Sequence, residues 1–423
     1  MIVNLTNLAQ FKHQALVWAN QFKVCCIFDS NNYVDKYAEF DFLVAADASS
    51  ELKVNNQNLN AFEQLKSYKK NKKWLCGGFG YDLKNETENL QSQNKDEINF
   101  TDLFFFEPKH LLVIKGNILT ITSNITEEIY QQIINIKPTE ILFEFNGKLK
   151  STFSKAQYVA SFNKILAHIN RGDIYITNFC IEFFAKNVIL DTVLAFEALN
   201  QISPAPFANY FKWDDKYIIS ASPERFLAKR GNKIISQPIK GTAKRNEDLA
   251  TDNQIKKQLQ NDAKEQQENV MIVDLVRNDL TKSAKASTVK VEELFGIYSF
   301  ANVHQMISTV VCETNPKLDE VDIIKNCFPM GSMTGAPKLK AMQIIEQYEQ
   351  TKRGIYSGAI GYFAPNGDFD FNVIIRSMLY NASKKYLSFE VGSAITANAN
   401  AETEYDECLL KADGIFRVLG KNH

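Results

Sequence analysis

Glu224 and Lys240 are the residues of this chain best suited to chemistry on a small molecule. Glu224 sits in Ser222-Pro-Glu-Arg-Phe-Leu227, and Lys240 in Gln237-Pro-Ile-Lys-Gly-Thr242. Between them, Arg225 to Lys229 and Lys233 to Ser236 read as strands around the two-residue turn Gly231-Asn232. A hairpin returns its end beside its beginning, so both side chains can face one pocket. There a carboxyl can deliver a proton and a lysine amine can attack carbon.

Two Glu-x-x-Glu pairs form a second constellation. Glu265 and Glu268 precede the apolar run Val270 to Val276, and Glu404 and Glu407 precede Leu409-Leu410. Three residues apart on a helix, each pair presents both carboxylates on one face. Hard oxygen ligands from two such helices suit magnesium, which keeps several waters. With 49 acidic residues in the chain, either pair alone also reads as a solvated helix face.

Gly331-Ser-Met-Thr-Gly-Ala-Pro-Lys338 invites comparison with a phosphate loop, but the Walker pattern fails. Pro337 precedes the lysine, and Leu339 stands where Ser or Thr would hold magnesium. Nucleotide binding is therefore not expected. Backbone N–H groups opening into a helix from Lys338 would suit a carboxylate. Arg376 is the one cation in the apolar, strand-like run Phe371 to Ser377. It fits either a salt bridge at a strand end or a bidentate clamp on a carboxylate.

Taken in order, these stretches resemble the chorismate-utilising enzymes, in their aminodeoxychorismate synthase component I branch. The first two are similar to that branch's SPERF and PIKGT motifs, and anthranilate synthases carry alanine where Lys240 stands. Glu268 to Leu280 resembles ENLMIVDLxRNDL, Glu404 to Ala412 resembles E-Y/W-x-E-T-x-x-K-A, and Gly331 to Lys338 resembles GSxTGAPK. Gly77 to Asp82 is similar to the family's GY-x-YDL stretch. Gly172 to Asn178 has Ile176 where relatives carry glutamine and lacks the lysine of isochorismate synthases. That argues against the salicylate and menaquinone branch.

The resemblance implies a chemistry. Glu224 would protonate the departing 4-hydroxyl of chorismate, Lys240 would attack ring carbon 2, and ammonia would enter at carbon 4. The product would be 4-amino-4-deoxychorismate, for p-aminobenzoate and folate. It implies Mg2+ held directly by Glu268 and Glu407, with Glu265 and Glu404 as outer carboxylates. Arg376, Tyr356 and Lys411 would bind substrate carboxylate, together with Gly241, Thr242, Gly392, Ser393 and Ala394. A separate glutamine amidotransferase subunit, component II, would supply the ammonia. Anthranilate synthase component I and a non-catalytic chorismate-binding subunit are the alternatives.

Two departures accompany the match. Gln305 stands where many relatives have histidine, and an amide cannot exchange a proton. His304 is its neighbour, faces the other side of a strand, and reads as structural. Ala394 replaces the last glycine of a Gly-x-Gly, so its backbone role requires a negative φ. Asp29-Ser30 sits where relatives carry an acidic-Ser motif associated with tryptophan binding, and reads first as a turn.

The elements that must position these residues are legible in outline. Val24 to Phe28 reads as a buried strand, and Leu111 to Lys115, Gly116-Asn117 and Ile118 to Thr122 as a hairpin. Asn85 to Glu97 reads as a solvated, mobile loop. Ser154 and Gln157 form a capping box opening a helix that Gly172 ends, followed by a strand from Ile174 to Phe183. Residues 246 to 268 read as a polar helix with a solvated face. Many hairpins with helices between them predict an α+β fold, two antiparallel-rich sheets packed face to face with helices outside. Residues 1–145 form an N-terminal segment of that sandwich with a regulatory pocket as one reading, and 146–423 the chorismate-binding catalytic region.

Composition bounds the partners. The 423 residues are 45% hydrophobic with a net charge of −1, so neither nucleic acid nor an anionic membrane is expected. No apolar run reaches the roughly 18 residues of a membrane span, and Met1 to Thr6 shows no secretory pattern. Seven cysteines without a CxxC point to reduced thiols and a cytoplasmic protein. None has the glycine-flanked turn of a glutaminase nucleophile.

Overall fold

The structure, a computed structural model, describes residues 1–55, 60–70, 73–137 and 143–420. Local sequence explains many of its elements. Gly231 takes φ +56° and Gly116 φ +59°, the left-handed conformation that tight hairpins need. Gly231 closes Arg225–Arg230 on Lys233–Ser236, and Gly116 closes Leu103–Lys115 on Ile118–Thr122. The helix Lys155–Asn170 opens on the expected reciprocal cap between Ser154 and Gln157, and buries Tyr158, Phe162, Ile165 and Ile169. The next strand is Ile176–Lys186, two residues later than its apolar pattern suggests, because Tyr175 N–H bonds Ala336 outside that strand.

The fold is α+β with antiparallel strands. In one sheet, Ile176–Lys186, Tyr386–Thr396, Ser377–Asn381, Lys216–Ser222, Phe207–Trp213 and Val24–Asp29 lie in that order. In the other, Leu75–Phe79, Ala359–Phe363, Phe369–Val373, Arg225–Arg230, Lys233–Ser236 and Val303–Glu313 follow one another. Two long strands join them: Phe42–Val54 pairs with Val24–Asp29 of the first sheet and along Leu103–Lys115, whose start, Leu103–Phe106, pairs with Leu75–Phe79 of the second. Strands from residues 1–145 thus complete both sheets.

The inner faces pack aromatic side chains. Phe104 and Phe211 rings lie 4.8 Å apart, and Phe28 and Tyr362 6.2 Å apart. Helices cover the outside. Ala263–Thr281 adds Ile272, Val273, Val276 and Leu280 to the core of the second sheet. Ala401–Val418 packs Cys408, Ala412, Ile415 and Phe416 on the first.

The segment from Asn85 to Glu97 is not a free solvated loop. It starts within a short helix, Lys84–Glu88, and Gln93 and Asn94 bond to Glu346 and Glu349 at the end of Lys338–Tyr348. Its polar residues bond to protein groups, which a polarity pattern cannot reveal. Residues 249–281 form two helices, Leu249–Asn261 and Ala263–Thr281, broken where Asp262 caps the second. The first is mostly exposed, burying Asp252 and Leu259. Among the described residues, no helix is long and apolar enough to cross a membrane.

Candidate active site

The chain crosses from sheet to sheet twice at one place. Pro223-Glu224 links Lys216–Ser222 of the first sheet to Arg225–Arg230 of the second. Ile374 to Arg376 link Phe369–Val373 of the second to Ser377–Asn381 of the first. The crossings are bonded together: Val373 N–H donates to Glu224 O at 3.0 Å, and Ala221 N–H to Arg376 O at 3.1 Å. Ser222 Oγ donates to Val373 O at 2.6 Å. Arg376 is therefore not inside one strand, as its apolar run suggests. It lies at a bend with φ +54°, because the two halves of that run pair in different sheets.

Lys240 is aimed by a bulge. The register between Ile239–Lys244 and Val303–Glu313 slips between Ile239 and Thr242, and such a slip redirects side chains. Gly241 takes φ +93°, and a Cβ there would lie 3.2 Å from Glu265 Oε2. Glycine is needed for both the backbone and the close approach.

Both crossings and the bulge open into one cleft of about 1060 Å³. Glu224, Lys240, Gly241, Thr242, Glu265, Glu268, Tyr356, Arg376, Gly392, Glu407 and Lys411 line it. The volume suits a small organic molecule. Glu404 is buried beside it. Ser393 and Ala394 are outside the lining: Ser393 Oγ meets Tyr158 Oη at 3.0 Å on the helix side. Ala394 pairs with Asn178 in the ladder without a positive φ, so its methyl causes no backbone strain.

Glu224 is only 5% exposed. Burial raises its carboxyl to about 7, against the opposing pull of Ser332 and Lys240. A group poised there can release a proton near neutral pH. Arg376 is pushed down by burial and donates to Lys411 O. No described carboxylate lies within ion-pair distance of it, so a ligand carboxylate would find it free. Lys411 binds Glu407 at 2.5 Å and Gly392 O at 3.0 Å. His304 Nε2 lies 3.0 Å from Asp252, turned away from the cleft, as expected of a structural histidine.

The four clustered glutamates oppose one another. Burial, then Glu268 and Glu407, raise Glu265 to about 7, and burial and Glu407 also raise Glu404. Burial works against the charge of Glu407 too, yet Lys411, Lys240 and Lys264 hold it at about 2. Lys264 Nζ stands 3.3 Å from Glu404 Oε1 and 3.9 Å from Glu268 Oε1. Glu268 Oε1 is buried without a hydrogen bond. Among the described residues, no three metal-ligating side chains converge as they stand. An all-oxygen donor set with mutual repulsion and an unbonded buried oxygen nevertheless fits magnesium chemically.

Some features were not visible in the sequence. Lys264 bridges the two Glu-x-x-Glu helices. Glu390, which lines the cleft, lies opposite Glu182 in the strand ladder, and both are buried. A lone charge in Tyr386–Thr396 was the available signal. Lys338 of the glycine loop faces away from the cleft, ion-paired with Asp279 and donating to Pro329 O at 2.8 Å. Only Ser332 and Met333 of that loop line the cleft, so the helix beginning at Lys338 does not present its N-terminus there. Asp29 and Ser30 line a separate cavity of about 60 Å³ with Arg225, far below a typical small-molecule site.

The profile of the chorismate binding enzyme family matches residues 17–417. The chain belongs to that family. It is an enzyme of the chorismate-binding kind, and its relatives in sequence carry two activities in their names. It is 34% identical over 347 residues to aminodeoxychorismate synthase component 1 of Salmonella typhimurium, spanning 81% of this chain and 76% of that one. It is 31% identical to an anthranilate synthase component I-like protein of Synechocystis, spanning 82% and 72%. The fold matches anthranilate synthase component I of Streptococcus pneumoniae with a TM-score of 0.79 at 23% identity, over 90% of this chain and 93% of that one.

Proposed function

We propose that the chain is component I of an aminodeoxychorismate synthase, aminating chorismate at ring carbon 4 with ammonia from a glutamine amidotransferase partner. The observation that carries this reading is the shared cleft of Glu224 and Lys240, with Glu224 poised near 7. Arg376, at the second crossing, Tyr356, and Lys411 of the helix Ala401–Val418 hold the substrate carboxylates. Lys240 adds to ring carbon 2, the ring double bonds shift, and the 4-hydroxyl leaves as water with the proton of Glu224. Ammonia then bonds to carbon 4, the double bonds shift back, and the Lys240 amine leaves. The enolpyruvyl group stays in place.

Glu268 and Glu407 would hold magnesium directly, with Glu265 and Glu404 through water. When bound, magnesium would supply positive charge beside the substrate's ring carboxylate. Seven buried, unpaired cysteines fit a reducing, cytoplasmic setting. The product is for p-aminobenzoate and folate.

The test is chorismate with ammonium and magnesium, the product read by mass. An aminated product that retains the enolpyruvyl group is expected. Anthranilate and pyruvate would instead assign the other activity named among the relatives.

A further inference from the structure

Gln305 is 3% exposed and lines the active-site cleft, and its Oε1 is buried without a hydrogen-bond partner. Its neighbours explain its direction. His304 turns to the opposite face, toward Asp252 and Ser299, so Gln305 faces inward. In the ladder Gln305 pairs with Thr242, next to the bulge that carries Lys240. A buried acceptor left without a donor is costly, so such an atom signals a missing donor.

The reactants restrict what that donor can be. Both carboxylates and the enol ether of chorismate offer only acceptors. Its ring hydroxyl is the leaving group served by Glu224. Lys240 is bonded to ring carbon 2 and the hydroxyl has left as water by the amination step, so the incoming ammonia is the reactant that brings free N–H donors to it. We propose that Gln305 Oε1 accepts an N–H of the incoming ammonia and positions it beside Lys240. This inference rests on the amination reading above. An amide suits the task, because it stays an acceptor at any working pH and cannot take the nucleophile's proton for itself.

The test measures initial rates against ammonium at saturating chorismate and magnesium, for the wild type, Gln305→Ala and Gln305→Glu. Gln305→Ala is expected to raise KM for ammonium at least tenfold, with KM for chorismate changed less than threefold. Gln305→Glu keeps an acceptor and is expected to recover at least a third of the lost affinity on a logarithmic scale. An unchanged KM for ammonium in Gln305→Ala, or equal defects for both substrates, overturns the proposal. If Gln305→Ala does not fold, a KM for ammonium raised at least tenfold in Gln305→Glu, which keeps the acceptor, overturns it too. Absence of any aminated product from the wild type would sink the amination reading instead, and this inference with it.

Discussion

The backbone N–H of Val373 donates to the carbonyl of Glu224 across 3.0 Å. This one bond joins the two points where the chain passes between sheets. It fixes the buried carboxyl next to the bend that carries Arg376. The acid and the cation are held by backbone, on elements whose strands are buried in both sheets.

Glu224 should govern the alkaline side of the rate profile. Its carboxyl is raised to about 7 by burial, and it acts as an acid only when protonated. The value of kcat/KM is therefore expected to fall as pH rises through about 7. Glu224→Gln, which has no proton to deliver, should lose about 100-fold to 10,000-fold in kcat. A flat profile from pH 6 to 9 would remove Glu224 as the acid.

Lys240→Ala should abolish amination at carbon 4, by at least about 1,000-fold, while leaving the fold intact because the side chain lies at the cleft wall. NMR of the residual product should show any nitrogen entering at carbon 2, since the two aminated isomers share one mass. Unchanged 4-amino-4-deoxychorismate output would remove the lysine from the mechanism.

Glu268 and Glu407 should behave as one site. Glu268→Gln and Glu407→Gln are each expected to lose magnesium-dependent turnover, and the double variant to be little worse than either. Lys264→Met removes the cation between Glu404 and Glu268. It should lower the melting temperature of the metal-free protein by about 2–4 °C, with magnesium restoring it. Additive losses in the double variant would separate the two carboxylates.

Glu182 gives a stability test apart from catalysis. Burial raises its carboxyl to about 7 from an ordinary 4.5, and Tyr386 donates to it at 2.9 Å. The folded state then holds its proton to higher pH than the unfolded chain. Stability therefore falls as pH rises from about 4.5 to 7 through this group. Glu182→Gln should stabilise the protein at pH 8, by about 1–3 kcal/mol in urea unfolding, and change little at pH 4. No gain at pH 8 would mean that the group is ionised at no cost.

Glutamine alone should not serve as a nitrogen source. All seven cysteines are buried and free, and burial raises the thiols of Cys25 and Cys312 to about 12, the reverse of a nucleophile. The pure chain is expected to aminate chorismate with ammonium salts and to remain inert with glutamine until an amidotransferase subunit is added. Glutamine-dependent turnover by the pure chain would reveal another catalytic site.

The sequence by itself determined the local pieces. Ser154 and Gln157 set a helix start, Gly116 and Gly231 set hairpin turns, and Glu-x-x-Glu spacing set two carboxylates on one helix face. Each depends on contacts within a few residues, which spacing and conformational preference express. The family was legible for a related reason, since long motifs keep their residues together in the chain. Tertiary structure alone decided the rest. Arg376 reads as part of one strand, but its run divides between two sheets. The loop ending at Lys338 reads as a set of backbone donors for a carboxylate, until Asp279, far off in the chain, claims the lysine and the helix start turns from the cleft. Lys264 meets Glu404, and Glu390 meets Glu182, only after distant segments pair. Burial and opposing charge set the protonation of these groups, and both arise from neighbours that the order of residues does not name.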